Sequence, residues 1–253
     1  MSSLSTETSE KQIENPLISV IIPTRNEEKY IKTLLSEIKR QTYKNYEVLV
    51  CDYKSTDNTV KISRKLGAKV IPVKRKGISA GRNAGIKKAK GEIIAFIDAD
   101  YEIPSTLFES VVDQLNDPKN KDVTGIVPPQ KADFKGIPRK KLRRIKLIGL
   151  IYETVYTKMG LLTKLPFGCV FCRREAVKRA GLFNEKITVS EDIEYYSRIL
   201  KYGRFILGKK YVKMSMRRFK KEGFVRAVSK YFDAFIAVKL GKGYRGDFEH
   251  VDD

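Results

Sequence analysis

The chain has 253 residues, with 51 Lys and Arg against 30 Asp and Glu, which gives a formal net charge of +21. Its one histidine, His250, lies close to the C-terminal end. Ser-His-Asp triads, Cys-His dyads and HExxH zinc sites need an imidazole inside a fold, so the composition argues against all three. If the chain is an enzyme, its acid–base and metal chemistry must rest on carboxylates.

The composition predicts a globular protein with a reduced interior. Hydrophobic residues make up 42% of the chain, enough for one domain with at most a small appendage. Cys51, Cys169 and Cys172 are too few for a disulfide framework, which favours a reducing, intracellular compartment. The CxxC spacing of Cys169 and Cys172 has no second pair and no histidine, so we expect buried small residues rather than a zinc site.

Neither a signal peptide nor a membrane span is expected. Residues 1–15 are polar, lack the basic start and apolar stretch of a signal peptide, and predict a disordered lead. No stretch reaches the roughly 18 apolar residues of a membrane span. The sequence therefore predicts a soluble or peripheral, cytoplasmic protein.

The positive charge is concentrated in two segments. Residues 135–146 contain seven Lys and Arg and no acid, and residues 201–246 contain fourteen against two acids. The rest of the chain is close to neutral, with 30 basic and 28 acidic residues. Either an anionic partner meets these segments, or they are solvated faces that aid solubility.

Short β-branched apolar runs alternate with segments of helical periodicity. In chain order, the predicted elements are strand 17–22, helix 27–40, strand 47–51, helix 60–66 capped by 55–59, strand 69–73, helix 79–90 and strand 92–97. This alternation predicts an α/β fold, a Rossmann-like and mostly parallel sheet with helices on both faces. Ligands of such sheets bind beyond the carboxyl ends of the strands, here at residues 23–27, 52–54 and 98–100.

Asp98 and Asp100 follow a strongly apolar strand and are two residues apart. Carboxylates at this spacing can approach one hard cation, and Mg²⁺ or Mn²⁺ commonly bridges such groups to substrate phosphates. The alternative is a turn that is simply rich in Asp.

Five motifs, in order and spacing, resemble the family 2 inverting glycosyltransferases of the GT-A fold. They are Ser19–Glu27; Gln41–Asp52 with Ser55–Thr59; Gly81–Gly85 with Gly91 and Phe96–Asp100; Arg173–Glu185; and Ser190–Asp192 with Arg198 and Gly203. The resemblance covers about residues 17–205 and predicts transfer of a sugar from a nucleotide-diphosphate sugar.

The resemblance implies roles for individual residues. On the donor side it implies a nucleotide pocket lined by Pro23, Thr24, Asn26 and Glu27, with a hydrogen bond from the nucleotide base to Asp52. It implies that Asp98 lies beside the ribose and the metal, that Asp100 ligates the metal, and that Arg82 adds positive charge. On the acceptor side it implies that Asp192 is the general base. The base takes a proton from an acceptor hydroxyl as its oxygen attacks the anomeric carbon. The residues themselves leave simpler readings open: Glu27 as a first-turn acid, Arg82 as a surface charge and Asp192 as a helix N-terminal acid capped by Ser190.

The chain departs from the family pattern in two places. Residues 52–55 read Asp-Tyr-Lys-Ser where the family often has Asp-Asp/Gly-Gly-Ser, so Tyr53 can stack on the base or ribose while Lys54 removes a glycine turn. Residues 215–219 are the nearest match to the Gln-x-x-Arg-Trp signature of processive members, and they lack both Gln and Trp. A single transfer is therefore expected rather than polymerisation.

We expect a GT-A domain at 16–210, after the lead at 1–15, and a basic amphipathic helical extension at 211–253. Within that extension, 224–240 combines a basic stripe with aromatic residues, as an interfacial helix does, although a helix packed on the domain fits equally. The apolar stretch 147–162, after the basic segment 135–146, is a second candidate membrane-facing element.

The sequence thus predicts a metal-dependent inverting glycosyltransferase at the cytoplasmic face of the membrane. The expected partners are a UDP- or GDP-sugar donor, a Mn²⁺ or Mg²⁺ cofactor, an anionic membrane surface, and a glycan or polyisoprenyl-phosphate acceptor, with no nucleic acid. The alternatives are a nucleotidyltransferase with a related core and a basic nucleic-acid-binding protein, whose signatures the chain lacks.

Deletion of residues 224–253 is expected to reduce binding to anionic liposomes at low salt, because it removes basic and aromatic side chains together. Cosedimentation with anionic and neutral vesicles measures this. Unchanged binding would indicate that the segment packs on the domain instead.

Overall fold

The computed structural model describes residues 14–133, 168–188, 190–215 and 217. Within these ranges, seven strands form one sheet in the order β3-β2-β1-β4-β8-β6-β9. Their bounds are β1 Ile18–Thr24, β2 Tyr46–Asp52, β3 Lys69–Pro72, β4 Ile93–Phe96, β6 Val123–Val127, β8 Val170–Arg173 and β9 Arg204–Leu207. All neighbours pair in parallel except β8, which is antiparallel to both β4 and β6. The predicted α/β fold with a mostly parallel sheet is confirmed.

Strand β1 runs past the proline at which we expected it to end. Pro23 and Thr24 pair with Cys51 and Asp52 of β2, whereas pairing with β4 stops at Ile21. Proline lacks an N–H group and is excluded from the middle of a ladder. It is tolerated here because β4 no longer accompanies β1 at this point.

Six α-helices lie within the described residues: α1 Glu28–Lys39, α2 Thr59–Lys65, α3 Ile78–Lys88, α4 Leu107–Asn116, α5 Arg174–Ala180 and α6 Glu191–Ile199. The predicted capping of α2 takes a different form. Asn58 holds the N-cap position without a side-chain cap bond. Asp57 instead accepts hydrogen bonds from the backbone N–H and hydroxyl of Thr59.

Apolar side chains of the sheet alternate between two cores. Val20 and Ile22 pack in the cluster that includes residues of α1 and α4. Ile21 packs in the cluster that includes residues of α3, α5 and α6. On the second face, α3 approaches β1 so closely that a Cβ added to Gly85 would overlap the Ile21 side chain. The three cysteines are free and buried, as expected.

A second sheet of three described strands has the order β5-β10-β7. Its strands are β5 Tyr101–Glu102, β7 Gln130–Asp133 and β10 Val212–Ser215. Strand β10 falls within the span that we assigned to a helical extension, so these four residues correct that expectation. Pairing of β10 with β5, which follows Asp100 directly, brings the end of the described chain beside the carboxylates that follow β4.

Several expectations fall outside the described residues. They concern the N-terminal lead before residue 14, the segments 135–146 and 147–162, the helix 224–240, and His250. Across the described ranges, no helix combines the length and the apolarity needed to cross a bilayer.

Gly91→Ala is expected to destabilise the fold by about 2 kcal/mol, because its Cβ would overlap the backbone of Leu17 and Ser19, which can yield only by moving β1. The free energy of unfolding in urea measures this effect. Lys90→Ala, at the exposed neighbouring position, should stay within about 0.5 kcal/mol of the parent chain. Equal stability of both variants would contradict the close packing.

Candidate active site

The residues that follow β1, β2 and β4 share one edge of the sheet, since parallel strands end there together. Two loops at this edge and the turn before α6 contain Asn26, Lys54 and Ser190, the described non-glycine residues with positive φ, at 53°, 49° and 56°. This conformation is uncommon outside glycine and persists where surrounding contacts hold it. It therefore points to the same edge that the sequence singled out.

The loops after β1 and β2 are tied together by hydrogen bonds. The Thr24 hydroxyl and the Ser55 backbone N–H each donate to the Asp52 carboxylate, both at 3.0 Å. The Asn26 side-chain oxygen accepts from the Thr56 backbone N–H at 2.9 Å. Asp52 is buried and held by these hydrogen bonds. Its expected hydrogen bond with a nucleotide base stays a prediction.

Tyr53 follows Asp52 directly and has two cations near its ring. The Arg25 guanidinium carbon lies 5.6 Å from the ring centroid and the Lys54 amine 5.9 Å from it. Its ring is partly exposed. Stacking on a base stays a prediction, to which the structure adds Arg25 as a neighbour that sequence reasoning missed.

Arg82 on α3 is the centre of a buried charge network. Its guanidinium bonds Asp98 at 3.1 Å and Glu191 at 2.9 Å, and only 2% of the side chain is exposed. Its guanidinium carbon also lies 5.4 Å from the ring centroid of Phe183. Burial alone would lower the pKa of Arg82, but Asp98 and Glu191 outweigh it and hold that pKa above its ordinary value. The reading of Arg82 as a surface charge is therefore wrong.

Asp192 lies in the first turn of α6, beside Glu191. Its carboxylate accepts from the Ile193 backbone N–H at 2.8 Å and from the Gly168 backbone N–H at 3.4 Å. Ser190 makes no side-chain cap bond, so the capping that we considered for it does not occur. Burial is the main cause that raises the pKa of Asp192 above the ordinary aspartate value.

The two neighbouring acids differ in what they can do. Glu191 is buried and paired with Arg82, whereas Asp192 is only half-buried. Burial raises the pKa of both carboxylates, so solvent access distinguishes them, because a carboxylate that takes a proton must reach its donor. Of the pair, Asp192 is the more accessible carboxylate, and Glu191 holds Arg82.

A second charge network includes Asp100, which is two residues after Asp98 in the turn that follows β4. Arg217 donates two hydrogen bonds of 2.8 Å to the Glu27 carboxylate and one of 3.0 Å to Asp100. Burial raises the pKa of Glu27 to about 7, although Arg217 opposes the rise. The sequence analysis placed Arg217 in the basic amphipathic extension 211–253, and no local pattern links it to a carboxylate 190 positions away.

The carboxylates of Asp98 and Asp100 suit a divalent cation whose remaining ligands come from the substrate. The Asp98 and Asp100 side chains are 30% and 15% exposed, and both offer the hard oxygen ligands that Mg²⁺ and Mn²⁺ prefer. No group of three or more His, Cys, Asp or Glu in the described ranges is arranged to hold a metal alone. Phosphate oxygens and water would have to complete the coordination, as is common for these ions.

Thr24, Asn26 and Asp52 lie at the loop pair after β1 and β2, whereas the other charged residues that were predicted lie in or beside the two charge networks. One ties Arg82 to Asp98 and, through Glu191, to the turn that carries Asp192; the other ties Glu27 to Asp100. Pro23 lies against α3, where a Cβ added to Gly81 would come within 2.9 Å of the Pro23 side chain. Their individual roles toward a substrate stay predictions.

Residues 19–181 match the family model of Glycosyl transferase family 2, so the chain belongs to that family. An uncharacterized glycosyltransferase of Rickettsia typhi, RT0329, is 28% identical over 195 residues, which cover 74% of this chain and 59% of that protein. The Escherichia coli UDP-Glc:alpha-D-GlcNAc-diphosphoundecaprenol beta-1,3-glucosyltransferase WfgD is 39% identical over 88 residues, covering 33% of this chain and 35% of that one. The chain thus spans about three fifths or less of the length of these curated relatives. The alternatives of a nucleotidyltransferase and a nucleic-acid-binding protein are not favoured.

Solved structures share the fold. TarS of S. aureus in complex with UDP-GlcNAc superposes with a TM-score of 0.65 at 23% identity, covering 90% of this chain and 68% of that one. The mannosyltransferase PcManGT of Pyrobaculum calidifontis, in complex with GDP-Man and Mn²⁺, gives 0.61 at 21% identity, covering 88% and 66%. At this identity the likeness establishes the GT-A architecture alone.

Arg82→Met is expected to lower the free energy of unfolding by about 3 to 5 kcal/mol, because it leaves Glu191 buried without its cation. Glu191→Gln should destabilise the parent chain but stabilise the Arg82→Met chain, since it then removes an unpaired buried charge. Urea unfolding of the four proteins measures this cycle.

Arg204→Met is the matched control, because its pair with Asp122 is exposed to solvent and should contribute little to stability. Simple additivity of Arg82→Met and Glu191→Gln would refute their coupling.

Proposed function

For this member of glycosyltransferase family 2, we propose transfer of one sugar from a nucleotide-diphosphate sugar to an acceptor hydroxyl, with inversion at the anomeric carbon. Asp192 carries the proposal, because it is a half-buried carboxylate of raised pKa beside a charge network that reaches the strand edge. The donor occupies the edge formed by the loops after β1, β2 and β4. UDP and GDP are the favoured nucleotides.

The proposed reaction is a single displacement. Asp192 accepts the proton of the acceptor hydroxyl while that oxygen forms a bond to the anomeric carbon from the face opposite the diphosphate. The bond between the anomeric carbon and the diphosphate oxygen breaks, and its electron pair leaves with the nucleoside diphosphate. The chain needs no histidine, since a carboxylate suffices as the base.

The donor side holds the leaving group. Pro23, Thr24 and Asn26 line the nucleotide, with Asp52 and Tyr53 at the base. Asp98 and Asp100 would hold a Mg²⁺ or Mn²⁺ ion, which when bound neutralises the charge that develops on the departing diphosphate. Arg82 contributes fixed positive charge at Asp98.

The acceptor is proposed to be a glycan or a polyisoprenyl-phosphate-linked sugar, presented at the cytoplasmic face of a membrane. Two observations support it: the concentration of positive charge in residues 135–146 and 201–246, and the relative WfgD, whose name specifies a diphosphoundecaprenol acceptor. An anionic carrier lipid would meet basic side chains at its phosphates. Residues 218–253 are then a basic, membrane-contacting extension.

A donor screen tests the reaction class. UDP-, GDP- and dTDP-sugars are incubated with the protein and Mn²⁺ or Mg²⁺, and hydrolysis and transfer are followed by release of the nucleoside diphosphate. Activity with one donor that EDTA abolishes supports the proposal. Release of inorganic pyrophosphate from a nucleoside triphosphate and a sugar phosphate would indicate a nucleotidyltransferase instead.

Asp192→Asn and Asp100→Ala are each expected to lower kcat at least 100-fold, because one removes the base and the other a metal ligand. Circular dichroism should show the parent fold in both variants, with a lower unfolding midpoint for Asp100→Ala because it loses the contact with Arg217. Asp113→Asn, an equal loss of charge at an exposed position of α4, should retain full activity. Full activity of Asp192→Asn would reject it as the base.

A further inference from the structure

Arg217 contacts Asp100, one of the two carboxylates that are predicted to bind a divalent metal ion. Its guanidinium lies among Glu27, Asp100 and the ring of Tyr30, whose centroid is 4.4 Å from the guanidinium carbon. Only 18% of its side chain is exposed. Three hydrogen bonds to two carboxylates make it a strongly held, charge-assisted contact rather than a surface ion pair.

The contact conflicts with metal binding at Asp100. The Arg217 Nε atom lies 3.0 Å from Asp100 Oδ2. A divalent cation coordinates a carboxylate oxygen at about 2.0 to 2.6 Å, so a cation on this oxygen would lie close to the guanidinium. Like charges at such a distance repel strongly in a half-buried site. The two cations therefore compete for Asp100.

We propose that Arg217 is the resident counter-cation of Glu27 and Asp100, that a divalent cation displaces it from Asp100, and that it then binds the donor diphosphate. The inference rests on the proposed function, which supplies the metal and the diphosphate. Glu27 keeps Arg217 at the site by its two-pronged bond while Asp100 is exchanged. When the donor is absent, a bound metal ion breaks the contact between Arg217 and Asp100, and no diphosphate is present to replace it as a partner of Arg217.

Metal and donor consequently bind with positive coupling. When a diphosphate is present, the displaced guanidinium gains a partner, so the metal binds more tightly than it does alone. Linkage requires the nucleotide to bind more tightly with the metal by the same factor. A purely structural role for Arg217 would stabilise the fold without opposing Mn²⁺ at Asp100.

The test is Mn²⁺ binding, followed by loss of the free-ion signal in electron paramagnetic resonance, with the full chain and no sugar donor. Arg217→Gln is expected to bind Mn²⁺ alone about tenfold more tightly than the parent chain, since the competing charge is gone. Adding UDP or GDP should tighten Mn²⁺ binding more in the parent chain than in Arg217→Gln. Arg217→Lys keeps the charge without the two-pronged geometry and should lie between them.

Two controls separate this effect from general electrostatics. Lys213→Gln removes the same charge from β10, where it pairs with Glu102 at 3.6 Å, and should leave Mn²⁺ affinity unchanged. Asp100→Asn combined with Arg217→Gln should abolish the gain. Circular dichroism verifies folding, and the Lys variant supplies the comparison if the Gln variant does not fold.

Equal or weaker Mn²⁺ binding by folded Arg217→Gln would overturn the inference while leaving the proposed transfer intact. Absence of any Asp100-dependent Mn²⁺ binding would overturn the inference and also remove the metal from the proposed function. The donor screen and Asp192→Asn would still decide separately whether the chain transfers a sugar.

Discussion

The buried guanidinium of Arg82 is the interaction on which the arrangement of the candidate site depends. It joins Asp98, beyond the end of β4, to Glu191 at the start of α6. Because α3 packs closely against β1, the backbone of α3 is near enough for the Arg82 side chain to contact both carboxylates. One side chain therefore links the start of α6, which carries the proposed base Asp192, to the turn that follows β4. Arg82 thus has a positioning role in addition to the positive charge that it is proposed to contribute at Asp98.

Local patterns predicted much of the fold. The alternation of apolar strands and amphipathic helices located the strands and helices of the first hundred residues to within a few positions, because burial imposes a period of two or 3.6 on the chain. Local patterns failed where a contact joins distant positions. Arg82 and Glu191 are 109 residues apart and Glu27 and Arg217 are 190 apart, so neither pair leaves a spacing that can be read. Asp98, Asp100, Asp192 and Arg82 could be named from the sequence, but the pairing of Arg82 with Glu191 and the place of Arg217 between Glu27 and Asp100 could not.

The backbone of the site is held in a state that the side chains alone would not choose. Lys54 adopts positive φ where the family often carries glycine, and Asn26 and Ser190 do the same in their own loops. Left-handed backbone costs roughly 1 to 2 kcal/mol at a residue with a Cβ. Around Asn26 the cost is offset by its bonds with Ser55 and Thr56, which fix the loop before any ligand arrives. A preformed loop loses less conformational entropy on binding than a disordered one.

The three cysteines have a practical consequence for how the molecule can be studied. All are buried, and burial raises the pKa of the Cys51 thiol to about 12 and of the Cys169 and Cys172 thiols well above their ordinary value. Alkylating reagents attack the thiolate, so these positions are chemically silent in the folded protein at neutral pH. A single cysteine introduced on the surface, for example at the exposed Lys76, becomes the one reactive thiol. Fluorescent or spin labels can thus be attached at chosen points without first replacing any native residue.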